Sequence, residues 1–235
     1  VRPKYIASTA TARRAEPQVQ SLFDRVLAQF PPPALSADER FFATSQEAHP
    51  LDGSRSGRLY VGICAPGKGA QTPIVRIWSV LLQCAETLKG QVPDSDLDPF
   101  WTLVGYFNAI RELAGAASLY RQDIPEWLKH RSPAPRMLDH FRQTELSSRS
   151  KSTELPTLLK KLEAQFPSPG AQDAAFSTSM FGTGVDVKRL SLMVVHGQPK
   201  TTASYIQATG RVGRDVCGLV ITFFRATRPR DLDHY

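Results

Sequence analysis

Two rhythms of apolar residues alternate along most of this chain. Ile74, Ile77, Trp78, Leu81, Leu82, Ala85 and Leu88 recur at helical spacing and predict an amphipathic helix. Residues 101–107 are a continuous apolar run that predicts a strand, with Asn108 at the N-cap position of a helix lined by Ile110, Leu113, Ala114 and Ala117. Residues 145–149 predict a short strand and loop. The next helix carries Leu155, Leu158, Leu159, Leu162 and Phe166 on one face, with Pro156 in its first turn, where a missing N–H costs little. Strands are predicted again where residues 175–179 run into a glycine turn, at 192–195 and at 218–224. Between the last two, a turn at 196–199 leads to a helix through Tyr205, Ile206 and Ala208, capped by Thr201 or Thr202. Continuous rather than alternating strands belong to a sheet covered on both faces. Strands that alternate with helices imply parallel pairing and right-handed crossovers, an α/β fold.

The first 55 residues read differently. Val19, Leu22, Phe23, Val26 and Leu27 form a short helical stripe that the prolines at 31–33 should stop, and Phe41, Phe42 and Leu51 follow in polar, turn-rich sequence. Phe23, Phe30, Phe41 and Phe42 are expected to lack a packing partner. Residues 89–99 and 129–142, rich in proline and polar residues, read as linkers or insertions. The 235 residues allow one domain of about 180 residues plus this appendage, divided at 1–55 and 56–235.

A formal charge of +7 and pI near 9.5 suit a polyanionic partner, although many soluble domains are as basic and the cations here are spread over loops. The three cysteines show no C-x-x-C spacing, which argues for a reducing compartment and against a zinc ribbon. The histidines show no ligand spacing, so no metal site is predicted, and His196 at a strand end is expected to be a structural hydrogen-bonder. No run reaches transmembrane length and no apolar signal segment opens the chain, so a cytoplasmic protein without a membrane partner is expected.

The candidate chemistry lies in Gln207-Ala208-Thr209-Gly210-Arg211-Val212-Gly213-Arg214. Phosphoryl transfer needs positive charge held rigidly at the γ-phosphate, and the guanidinium fork supplies it better than an ammonium does. In isolation, a basic helix end with solvated arginines would look the same. The octapeptide fits the Q-x-x-G-R-x-G-R pattern of motif VI in superfamily-2 helicases. Upstream, residues 175–187 resemble motif V of that superfamily. By that resemblance Thr178 contacts a nucleic-acid phosphate, while Gly184 and Asp186 bind beside the nucleotide ribose, where glycine permits close approach and a carboxylate accepts ribose hydroxyls. The corner at Phe107 and Asn108 resembles motif IV, and residues 4–11, read as a strand ending in the small residues Thr9-Ala10-Thr11, resemble motif III, which couples the nucleotide site to a neighbouring lobe.

More narrowly, residues 98–108, 145–149, 196–202 and 228–232 resemble the large helicase subunit of DISARM anti-phage defence systems and its relatives. The resemblance implies the second lobe of a RecA-like P-loop NTPase fold, a mostly parallel sheet with helices on both faces. It implies ATP and Mg²⁺ bound mainly by a first lobe. Arg214, Arg211 and Gln207 would act on the phosphates, and Asn108, Arg111, Ser148, Arg149 and Thr178 would hold nucleic acid, DNA in preference to RNA. Its implied partners are that first RecA-like lobe and other defence-system subunits. The chain has no G-x-x-x-x-G-K-[ST] segment, and residues 65–72 place alanine where the Mg²⁺-holding hydroxyl should follow the lysine. The expectation is therefore a C-terminal piece of a helicase or translocase that is inactive alone as an ATPase. The alternative is a non-catalytic RecA-like binding or interaction module.

Overall fold

The computed structural model describes residues 3–9, 14–32, 34–36, 38–45, 57–151, 153–179 and 186–235. The chain divides into two compact units, Val1–Glu47 and Ala48–Tyr235.

In the first unit, α1 (Ala15–Phe23) buries no residue, and β1 (Glu39–Arg40) pairs antiparallel with β2 (Ala43–Thr44). The helix ends well before the prolines, because Asp24 turns left-handed (φ 50°) and its N–H reaches back to the carbonyl of Gln20. Residues 3–9 form no regular strand, contrary to the expectation for the motif III stretch; Ala10 and Thr11 lie outside the described residues. The aromatic residues pack on one another: Tyr5 stacks on Phe23, and Phe30, Phe41 and Phe42, themselves each more than half exposed, meet edge-on.

The second unit is built on a six-stranded sheet. In chain order its elements are β3 (Arg58–Cys64), α2 (Gln71–Leu88), α3 (Asp94–Trp101), β4 (Leu103–Phe107), α4 (Ile110–Arg121), α5 (Asp123–Arg131), β5 (Gln143–Leu146), α6 (Leu155–Glu163), β6 (Ala174–Ser177), β7 (Leu192–His196), α7 (Thr202–Thr209), β8 (Gly218–Phe224) and α8 (Pro229–Leu232). The strand order is β3-β8-β7-β4-β6-β5 and every neighbouring pair is parallel. The interior strands β4, β6 and β7 are buried at every position, as continuous apolar runs require.

Side chains alternate between two cores. Leu103, Phe107, Phe176, Val194, Ile221 and Phe223 pack against α2, α4 and α5; Val104, Tyr106, Ala175, Met193, Val195 and Val220 pack against α6 and α7. Trp78 is the hub of the first core, stacked on Phe176 with ring centroids 5.2 Å apart. It lies so close to β4 that a Cβ on Gly105 would come within 2.5 Å of its ring, so only glycine fits there.

Two stretches read as linkers are structured. Residues 94–101 form α3, which Asp94 and Asp96 favour at the positive end of the helix and which buries Leu97 and Trp101. The strand that follows therefore begins at Leu103 rather than Trp101. The stretch after α5 carries Arg136, whose side chain is 99% buried and paired with Asp173. β3 is a strand absent from the sequence expectations, although residues 59–64 are an apolar run; as an edge strand it leaves Leu59 and Tyr60 exposed. Among the described residues, no helix is long and apolar enough to cross a membrane.

Candidate nucleotide and nucleic-acid faces

α7 leads into Arg211 and Arg214 of the octapeptide at 207–214. Thr201 caps it, its hydroxyl accepting the Ser204 N–H at 3.1 Å. The helix starts beyond the carboxyl end of β7 and runs back toward the entry of β8, so its last turn lies at the amino ends of the strands. A Cβ on Gly210 would come 2.8 Å from the carbonyl oxygen of Ile206. Gly213 takes φ 63°, donates its N–H to Leu190 at 2.8 Å, and lies so close to Gly218 that a Cβ would meet backbone at 2.7 Å. These close approaches press the arginine loop against the start of β8.

Around that loop, Arg214 ion-pairs with Asp186 and donates its Nε to the Gly210 carbonyl at 3.2 Å. Arg211 and Gln207 are half-buried on the same turn. Arg58, at the start of β3, donates to the carbonyls of Val212 (2.6 Å) and Gly210 (3.4 Å). The structure thus brings Gln207, Arg211, Arg214 and Asp186 to one end of the sheet, with Arg58 beside them. Gly184 lies outside the described residues.

Asn108, Arg111, Ser148, Arg149 and Thr178 lie at the opposite end, where the strands leave the sheet. Asn108 is not the N-cap of α4; that position is Ala109, with no side-chain cap. The Asn108 amide nitrogen instead donates toward the carbonyls of His196, Gly197 and Gln198 at 3.1, 3.0 and 3.4 Å. Its position one residue before Ala109 points it across to β7 rather than into the helix. Arg111, Ser148 and Arg149 are exposed, and Arg149 reaches the Ile110 carbonyl at 3.4 Å and Glu145 at 3.8 Å. Thr178 is 6% exposed, its N–H held by the Leu146 carbonyl at 3.2 Å.

Residues not singled out from sequence lock this face together. Buried Asp231 accepts the N–H groups of Gln198 (3.0 Å) and Arg225 (2.9 Å), and Arg225 and Arg228 both bond Glu112 of α4. Burial lowers the pKa of the Arg225 guanidinium, and Glu112 opposes the shift. Three stretches that carry the narrower resemblance, those containing Asn108, His196 and Asp231, are therefore one connected polar belt. That adjacency in space is a signal no single stretch shows.

His196 sits inside this belt, fully buried, stacked on Phe107, with Nε2 accepting the Trp78 indole N–H at 3.0 Å. Nε2 must be unprotonated to accept, so the imidazole is neutral with its proton on Nδ1. Burial, and then the Arg225 charge, push its pKa down to about 3 from 6.5. Above the unfolded value both states are neutral. Between pH 6.5 and 3 the unfolded chain binds a proton that the native chain refuses. Stability is therefore expected to fall by about 1.4 kcal/mol per pH unit from this group, some 2 kcal/mol by pH 5. Urea denaturation at stepped pH measures the slope, and imidazole nitrogen shifts identify its source. Titration of His196 in the folded protein near pH 6.5 would refute the reading.

A family profile described as the helicase conserved C-terminal domain matches residues 136–216. The sequence is 43% identical over 242 aligned residues to the DISARM protein DrmA of Bacillus paralicheniformis, an alignment that covers 100% of this chain and 21% of that protein. Among solved structures, the DUF1998 helicase MrfA bound to DNA superposes with a TM-score of 0.52 at 18% identity, covering 72% of this chain and 21% of that one. The Mycobacterium smegmatis helicase Lhr bound to ssDNA and AMP-PNP gives 0.47 at 16% identity, over 72% of this chain and 19% of that one. The chain spans about a fifth of the length of these relatives.

Proposed function

We propose that this chain, which carries a helicase C-terminal domain of RecA-like fold and is similar throughout to DrmA, is the arginine-bearing lobe of an ATP-dependent nucleic-acid helicase or translocase. The observation that carries the reading is the meeting of Asp186 and Arg214, 28 residues apart, at one end of a sheet whose other end presents Arg111 and Arg149. ATP would be held mainly by a partner lobe that supplies the P-loop, and Mg²⁺ by the hydroxyl and acidic groups of that lobe. On closure, Arg214 and Arg211 would face the γ-phosphate, Gln207 would orient the phosphate or the attacking water, and Asp186 would accept the ribose hydroxyls. Thr9, Ala10 and Thr11 would couple the two lobes.

At the far end, Arg111 and Arg149 would contact phosphates, Ser148 would add a hydroxyl, and Asn108 would shape the corner rather than touch the strand. Thr178, nearly buried, would contribute only through its small exposed edge. Separation of the two faces by the length of the sheet suits a motor, because lobe closure around nucleotide then moves a surface that grips nucleic acid. DNA is the first track to try, since the MrfA structure holds DNA. Other defence-system subunits are the proposed partners, from the likeness to a DISARM protein.

The test is ATP hydrolysis by this chain alone and joined to a P-loop lobe, with single-stranded DNA binding read across a salt series. The chain alone should be silent, and the joined protein should hydrolyse ATP. Binding should weaken steeply with salt, and the pair Arg111→Ala and Arg149→Ala should flatten the log–log slope by about 2. Robust Mg²⁺-dependent hydrolysis by the chain alone would refute the division of labour. Silence in both preparations, with salt-sensitive binding kept, would favour the non-catalytic binding module.

A further inference from the structure

We propose that Arg58 is a positioning residue for the phosphate-facing arginines, holding the carbonyls of Gly210 and Val212, the residues on either side of Arg211, and sharing the Gly210 carbonyl with Arg214. This rests on the reading of Arg211 and Arg214 given above.

A helix leaves its last carbonyls without intrahelical partners, and water usually serves them. Beyond those, in the loop that follows α7 (Thr202–Thr209), a side chain from another strand, more than 150 residues away in sequence, serves two carbonyls: Arg58 Nε takes Val212 at 2.6 Å and Nη2 approaches Gly210 at 3.4 Å. Arg211 lies between those two carbonyls, so the direction of its backbone is set from both sides. Arg214 Nε bonds the same Gly210 oxygen at 3.2 Å, which ties the second arginine to the same anchor.

The aliphatic stem contributes as well. Arg58 Cγ would lie 3.3 Å from a Cβ built on Gly213 and 3.4 Å from one on Gly218, so it lies over the glycine pair where the loop touches β8. The adjacent Gly57 carbonyl takes the Gly218 N–H at 2.9 Å. The first two residues of this edge thus brace the loop through a guanidinium, a methylene stem and a backbone carbonyl. A guanidinium offers donors in fixed, divergent directions; an ammonium on a flexible stem cannot hold two carbonyls in one geometry. Nor is charge alone a reason for an arginine here, since another cation beside Arg214 adds repulsion until an anion arrives.

The experiment compares wild type, Arg58→Lys, Arg58→Ala and Arg214→Ala in a protein that joins this chain to a P-loop lobe. Arg58→Lys is expected to lower kcat by about tenfold to a hundredfold, the cost of a misplaced catalytic group, with KM for ATP unchanged. Millimolar guanidinium ion should restore part of the Arg58→Ala rate. Hydrogen exchange reads positioning without turnover: peptides covering 210–217 should exchange about tenfold faster in Arg58→Lys, with 192–196 unchanged. Unchanged exchange at 210–217, or wild-type kcat in Arg58→Lys, would overturn the proposal. So would a kcat loss that tracks a general fall in thermal stability without guanidinium rescue. A silent wild type, or an Arg214→Ala variant as active as wild type, would instead overturn the phosphate-facing reading, and with it the catalytic half of this one.

Discussion

Arg214→Ala, in a protein that joins this chain to a P-loop lobe, is expected to lower kcat for ATP hydrolysis by about 10³- to 10⁵-fold, the range for removal of an arginine finger. The loss should fall on kcat more than on KM, because in the proposed role the guanidinium acts on charge that develops in the transition state. Arg214→Lys should recover little, since an ammonium lacks the planar fork. Folding should be nearly untouched. The Arg214 side chain is one-third exposed and its partner Asp186 about half exposed, and a pair so open to solvent contributes at most about 1 kcal/mol. A γ-phosphate can therefore draw Arg214 from Asp186 at small cost. Single-turnover hydrolysis beside urea denaturation separates the two effects. A kcat within about tenfold of wild type would overturn the phosphate-facing role given to Arg214, and a parallel loss of stability would make Arg214 a structural residue.

How much could be read from sequence depended on which residues speak for themselves. The interior strands at 103–107, 174–177 and 192–196 are apolar at nearly every position, so their burial was legible. The helicase resemblance read from residues 207–214 is matched by the family profile over 136–216. Arg58 was not legible: it is a single arginine entering an edge strand whose outward residues include Leu59 and Tyr60, and its partners are carbonyls that every residue possesses. Asn108 was placed correctly at a corner but given the wrong bond, because sequence spacing cannot tell a capping amide from one that crosses to a neighbouring strand. Asp231 lies in a stretch that supported the narrower resemblance, yet its role appears only once the chain returns it to Gln198. The missed features share a cause: each is a polar contact between segments distant in sequence.

Arg136 is the extreme case, and it carries the largest stability prediction. From sequence it is one cation in a proline-containing stretch that looks like a linker. In the structure its Nη2 meets Asp173 at 2.7 Å and the Trp101 carbonyl at 3.1 Å, its guanidinium lies 3.8 Å over the Trp101 ring, and both charged side chains are 1% exposed. Removing one member of such a pair leaves the other charged in a dry interior. Asp173→Ala is therefore expected to destabilise the fold by about 3 to 5 kcal/mol, a large share of the total of about 5 to 15 typical of a domain. Apolar replacement of both partners, Arg136→Met with Asp173→Leu, should recover much of that loss, because no orphan charge remains. Urea denaturation of Arg136→Met, Asp173→Leu and their double closes the cycle, with Asp173→Ala measured beside them. A cost below about 1 kcal/mol for Asp173→Ala would mean that solvent reaches the pair. The consequence extends to the proposed nucleic-acid face. The Asp173 N–H bonds the Arg142 carbonyl at 2.8 Å, one residue before β5, the edge strand whose exit loop holds Ser148 and Arg149. Loss of the buried pair should thus loosen the strand that aims Arg149, so milder variants such as Asp173→Asn should weaken nucleic-acid binding before they unfold the domain.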